Sequence, residues 1–89
     1  MNKQYWITHL AQLSGVQDEH LYDRAISWMN RYYDADITKM SVTGDGCIYV
    51  EYTLDCLPSQ CVVFESKRMI MWNTVNNVRK NYRRIEYLT

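Results

Sequence analysis

The chain predicts an α+β fold, a helical hairpin followed by a three-stranded antiparallel meander and a C-terminal helix (α-α-β-β-β-α), with the helices on one face of the sheet. Three observations predict it. Apolar residues recur at helical spacing through the first third of the chain, the period drops to two from Ile37, and helical spacing returns after Ser66. Its 89 residues give room for one compact domain over 1–89. Hydrophobic residues make up 47%, and only 3 Gly and 1 Pro interrupt them, so a core is available and the connections are short.

The first helix is predicted from about Lys3 to Leu13. Trp6, Leu10 and Leu13 recur at helical spacing with Ile7 beside them, Asn2 stands at the cap position, and Gly15 suits the left-handed residue that ends a helix. A second helix follows from about Gln17 to Tyr33. Its apolar stripe is Leu21, Tyr22, Ala25, Ile26, Met29, Tyr32 and Tyr33, bordered by Trp28. Asp18 and Glu19 fall in its first turn, where the helix dipole favours anions, and the short link makes the pair a hairpin.

From Ile37, Thr38, Met40 and Val42 alternate with Lys39, Ser41 and Thr43, and Gly44-Asp45-Gly46 supplies a tight turn. In the next strand Ile48, Val50, Tyr52 and Leu54 point one way and Cys47, Tyr49, Glu51 and Thr53 the other. Asp55 to Ser59 turns the chain into a third strand from Gln60 to Glu65. Ser66 then caps a helix from Lys67 to about Tyr87, with Met71, Val75, Val78, Tyr82 and Ile85 in one arc and Trp72 at its edge. A competing reading makes Met69 to Trp72 a fourth strand, with the helix beginning near Asn73.

The formal net charge of zero conceals a partition. Residues 1–66 hold four cations against nine anions, a net −5, and residues 67–89 hold six cations against one anion, a net +5. At helical pitch Asn73, Asn76, Asn77, Lys80, Arg83, Arg84 and Tyr87 fall on the side away from the apolar arc. Such a basic face suits phosphates and stacked bases, or an acidic protein surface. It also suits two plainer roles: a solvated face near a helix C-terminus, and internal pairing with the acidic first half. A nucleic-acid binder ordinarily carries a positive excess over the whole domain, which this chain lacks. The acidic counterpart is Asp18, Glu19 and Asp23 on the second helix, with Asp34 and Asp36 beyond. Opposite patches on one molecule also permit a homodimer. Tyr49 and Glu51, on the strand face away from the helices, are a further contact candidate, and the open sheet has two edges to which a partner can add a strand.

Catalytic, metal and cofactor residues are not indicated. Cys56 and Cys61 are separated by four residues but lack a second close pair, and His9 and His20 stand on separate helices, so a zinc site is short of ligands. Cys47 and Cys61 read as small apolar fillers, and a Cys56–Cys61 disulfide would require an oxidising compartment. No hydrolase, metalloprotease or phosphate-loop motif occurs, and His20 with Asp23 and Arg24 reads as ordinary helix surface. The first ten residues contain no secretory pattern, and no run of about 20 apolar residues marks a membrane span, which predicts a cytoplasmic chain with reduced thiols. Eight Tyr and three Trp suit half-buried and interface positions.

These features together predict a small non-enzymatic protein-binding inhibitor or adaptor. Its partner would be a protein or a nucleoprotein complex. Size and split charge fit the general run of phage or mobile-element proteins that block host defence or transcription complexes, anti-CRISPR-like proteins among them. The rival readings are a nucleic-acid-binding module that uses the basic helix and a small toxin-type nuclease.

Overall fold

The structure is a computed structural model that describes residues 3–54, 59–75 and 78–87, with side chains described for 3–54 and 59–72. Two helices, α1 (Lys3–Ala11) and α2 (His20–Arg31), precede five strands, β1 (Asp36–Val42), β2 (Ile48–Thr53), β3 (Gln60–Phe64), β4 (Arg68–Val75) and β5 (Val78–Tyr87). The strands form one antiparallel sheet in the order β1-β2-β3-β4-β5, each paired with its neighbour in sequence.

The predicted C-terminal helix and three-stranded meander are therefore corrected. Arg68–Val75 and Val78–Tyr87 form the antiparallel pair β4 and β5, and the sheet has five strands among the described residues. Register explains why this segment mimics a helix. Met71 pairs with Arg84 but Trp72 with Tyr82, and Asn73 pairs with Asn81 but Thr74 with Arg79. Each shift is a bulge that leaves one β5 residue, Arg83 or Lys80, without its own partner position on β4. Positions 79, 82 and 85 thus register with Thr74, Trp72 and Ile70 in steps of three. Two bulges three residues apart thus give Tyr82 and Ile85, the last members of the predicted arc, a helix-like spacing on one side of the ladder.

A bulge also corrects β1. Ile37 pairs with Tyr52 and Lys39 with Glu51, so Thr38 is the extra residue. The buried positions are Ile37 and Met40, not Thr38, which is exposed. The Thr38 hydroxyl donates 3.3 Å to the Glu51 carbonyl across the bulge.

The helices are shorter than their apolar patterns suggested. The predicted cap of α1, Asn2, lies outside the described residues. In α2, Leu21, Ala25, Trp28 and Met29 form the buried stripe, so Trp28 sits at its centre while Tyr33 is 71% exposed beyond the helix end. Asp18 and Glu19 precede the first turn. Gly15 does take a positive φ, +84°.

Both helices pack on one face of the sheet. Leu10, Leu21, Ala25, Trp28 and Met29 join Ile37, Met40, Ile48, Val50, Tyr52, Val62, Phe64, Met69 and Met71 in one core. The Trp28 ring lies edge-on to Tyr52 at 4.8 Å and to Phe64 at 6.1 Å between centroids. Each fully buried side chain of this kind contributes about 1.5–3 kcal/mol.

One end of the sheet is tied to the interhelical loop. The Gln17 amide donates 3.0 Å to the Gly46 carbonyl in the β1–β2 turn, and Gln17 Nε2 donates 2.7 Å to Ser66 Oγ in the β3–β4 turn. Arg24 Nη1 on α2 donates 2.7 Å to the Glu65 carbonyl. Gly46 has φ +86°, and a Cβ there would stand 2.9 Å from Gln17 Cβ and 3.0 Å from its amide nitrogen.

This packing sets the cost of three substitutions. Gly15 has φ +84° with nothing within 4 Å of an added Cβ, so Gly15→Ala costs only the left-handed penalty of about 1 kcal/mol. Gly46→Ala carries the same penalty plus the clash with Gln17, and its loss in urea-denaturation free energy is at least twice as large. Trp28→Ala costs about 3–5 kcal/mol by the same measurement, a large fraction of the whole stability of a domain this size.

Candidate functional site

The face of the sheet away from the helices holds two side-chain rows set by strand register. Lys39, Glu51, Cys61 and Trp72 form one, and Ser41, Tyr49, Val63 and Ile70 the other. Cys47, Cys61, Val63 and Ile70 are buried although no helix covers them in the core cluster. Tyr49, Glu51, Arg68 and Trp72 are half-buried around them.

Tyr49 and Glu51, two of the sequence-predicted contact residues, act on each other. The Tyr49 hydroxyl donates to Glu51 Oε1, and Lys39 Nζ stands 5.9 Å from the centroid of the Tyr49 ring. Burial, then the bond to Glu51, pushes the Tyr49 phenol far above its ordinary value, because ionisation would place an anion in a dry site beside a carboxylate. Burial also pushes the Cys47 thiol up, reinforced by the nearby Asp45 and Glu65 carboxylates. A thiol held protonated is a poor nucleophile and a poor metal ligand.

Beside Cys47 lies a hollow of about 250 Å³, walled by Val63, Ile70 and Trp72 and edged by Thr43, Asp45, Glu65 and Arg68. Its polar edge is internally engaged: Thr43 Oγ1 donates to Asp45 Oδ1 and accepts from the Cys47 amide, while Arg68 Nε donates to Glu65 Oε1. On the helical side a second hollow of about 280 Å³ is lined by Ile7, Leu10, Ala11, Tyr22 and Ile26. Among the described residues, no three His, Cys, Asp or Glu side chains converge to hold a metal ion.

The acidic candidates gather at the start of α2. Asp18 Oδ1 accepts from the His20 amide at 2.9 Å, and its carbonyl accepts from the Leu21 amide at 3.0 Å. Asp18 is therefore committed to starting the helix. Glu19 and Asp23 are exposed beside it, where the dipole favours their charge.

The basic candidates lie on the last hairpin. Asn73 is on β4 opposite Asn81, Lys80 and Arg83 are the bulge residues of β5, Arg84 pairs with Met71, and Tyr87 pairs with Arg68. Asn76 and Asn77 lie outside the described residues. Because neighbouring strand positions alternate between sheet faces, the single basic arc computed at helical pitch does not exist. What replaces it is an edge strand, Val78-Arg79-Lys80-Asn81-Tyr82-Arg83-Arg84-Ile85-Glu86-Tyr87, with four cations and one anion in ten residues. Helical pitch left Arg79 out of the basic set, and strand register places it there.

Compared with protein-family models, with curated proteins and with solved structures, the chain matches none. Among the described residues no helix is long and apolar enough to cross a membrane.

The weakened acidities of Tyr49 and Cys47 fix the sign of an alkaline effect. Both groups hold their protons more tightly in the folded state, so the stability they contribute is complete below their unfolded values of 10.0 and 9.0. It is lost as pH rises above those values toward the folded ones. Urea-denaturation free energy therefore falls above about pH 9. Tyr49→Phe lowers stability at pH 7 by about 1 kcal/mol through loss of the bond to Glu51, and its further fall between pH 9 and 11 is shallower than that of the unsubstituted chain.

Proposed function

We propose that this chain is a non-catalytic protein-binding module, of the inhibitor or adaptor kind, that recognises its partner through the basic β4–β5 hairpin. The observation that carries the reading is the collection of four cations on β5, an outer strand of the sheet. An edge strand is approachable from the side, and its charge gives attraction and orientation during encounter.

Several features favour a protein over nucleic acid. The whole chain is neutral, and residues 1–66 carry a net −5. A long polyanion lying along β5 would have to pass this acidic portion, whereas a compact acidic protein surface need only meet the hairpin. Nearby, the half-buried Tyr49 and Trp72 on the outer face offer the aromatic area that protein interfaces favour. The inhibitors that phages and mobile elements direct at host defence or transcription complexes, anti-CRISPR-like proteins among them, are the general class this reading fits by size and split charge.

The test is affinity capture from lysate with the full chain as bait, with and without nuclease, alongside a variant carrying Arg79→Gln, Lys80→Gln, Arg83→Gln and Arg84→Gln. The expected result is a stoichiometric protein partner that survives nuclease treatment and falls at least tenfold with the neutralised variant, whose far-ultraviolet circular dichroism is unchanged. Capture abolished by nuclease, together with salt-dependent retention on heparin, would transfer the function to nucleic-acid binding.

A further inference from the structure

The two bulges of β5 carry the assignment beyond a basic strand in general. A ladder position fixes a residue opposite a partner, and its side follows the sheet's alternation. A bulge residue is released from that pairing, bends the strand and increases its twist, which is why bulges re-aim side chains at edges and beside functional sites. On β5 the two released residues are Lys80 and Arg83, both cations and three positions apart. The remaining cations, Arg79 and Arg84, sit at ladder positions opposite Thr74 and Met71.

The bulges also decide how a partner engages. Two interruptions within ten residues break the row of outward backbone groups that an added strand would need, so β5 is a poor template for a sixth strand. Recognition at this edge rests on side-chain charge. The opposite edge, β1, has its bulge at uncharged Thr38 and carries Asp36 and Lys39, which gives it no such sign.

We propose that Lys80 and Arg83, the two bulge residues of edge strand β5, form the principal contact for an acidic segment of the protein partner, held by charge and not by strand addition. This rests on the protein-binding reading above. A flexible carboxylate-rich segment fits because it follows a twisted, interrupted edge without a matching backbone ladder. The short spacing of the two residues also selects carboxylates that are close together in sequence.

The test compares two pairs of substitutions with the same loss of charge on the full chain. One removes the bulge cations (Lys80→Gln with Arg83→Gln) and the other the ladder cations (Arg79→Gln with Arg84→Gln). The probe is a fluorescein-labelled decapeptide bearing six glutamates, titrated by anisotropy at low and at physiological salt. A copy N-methylated at alternate residues and a single-stranded oligonucleotide of equal charge are titrated in parallel. The bulge pair is expected to weaken peptide binding at least tenfold and the ladder pair less than threefold, with the N-methylated peptide binding as tightly as the plain one. Equal losses from the two pairs would overturn the assignment to the bulges, and so would an undetectable interaction with the unsubstituted chain. A tenfold loss on N-methylation would restore strand addition in its place. Tighter binding of the oligonucleotide than of the peptide would overturn the partner class. If nuclease-resistant lysate capture persists while equal losses, no peptide binding or a loss on N-methylation is found, this inference falls and the protein-binding reading stands.

Discussion

The contact on which the fold depends is that of Trp28 with Tyr52 and Phe64. It joins the centre of α2 to β2 and β3, the strands to which β1 and β4 are directly paired. A five-stranded antiparallel sheet with one uncovered apolar face does not stand alone in water, and one amphipathic helix of twelve residues has too narrow a stripe to cover it. The indole supplies the missing area in one residue. α1 then closes over α2 and β1 with Leu10 buried, and Trp6, Ile7 and Leu13 partly so. With the inner faces of both helices turned to this cover, the opposite sheet face and the outer strands stand clear of the helices.

Much of the first half was legible because its local and tertiary signals agree. The i, i+4, i+7, i+8 spacing of Leu21, Ala25, Trp28 and Met29 is a helix stripe in sequence and in space. The alternation of Ile48 to Thr53 is likewise a half-buried strand in both. Residues 68–87 were misread where those signals conflict. Ile70, Trp72, Thr74, Val75, Val78, Tyr82 and Ile85 are β-branched or aromatic and favour strands. Asn76-Asn77 between two valines is turn chemistry as much as an outward helix face. Against these stood a spacing near the helical period, whose Tyr82–Ile85 part the bulges at Lys80 and Arg83 produce. A bulge is a register property, fixed by the partner strand, so one strand's pattern does not announce it. Thr38 on β1 shows the same effect on a smaller scale.

The candidate surface was legible in its charge and not in its shape. Counting cations places the basic segment in residues 67–89 whatever their secondary structure, because charge does not depend on it. Grouping them by helical pitch collected Arg83 with Arg84 and left out Arg79, since the arc belongs to a helix that does not form. Tyr49 and Glu51 stand out by alternation alone, and β2 does alternate buried and half-buried residues. Their mutual hydrogen bond joins two residues of one strand face and follows from that same alternation, whereas the approach of Lys39 to the Tyr49 ring depends on the cross-strand register of β1 with β2.

Gln17 links three separate turns at one end of the sheet, those of the interhelical loop, the first hairpin and the β3–β4 connection. At the other end β3 stops at Gln60, opposite Asn73, while β4 and β5 run on to Val75 and Val78 as a two-stranded overhang. Thermal opening of the sheet is thereby given a direction: the overhang separates first and the riveted end last. The Trp28 cluster lies away from that opening, so the outermost β4–β5 pairs can part while both helices stay packed on the sheet.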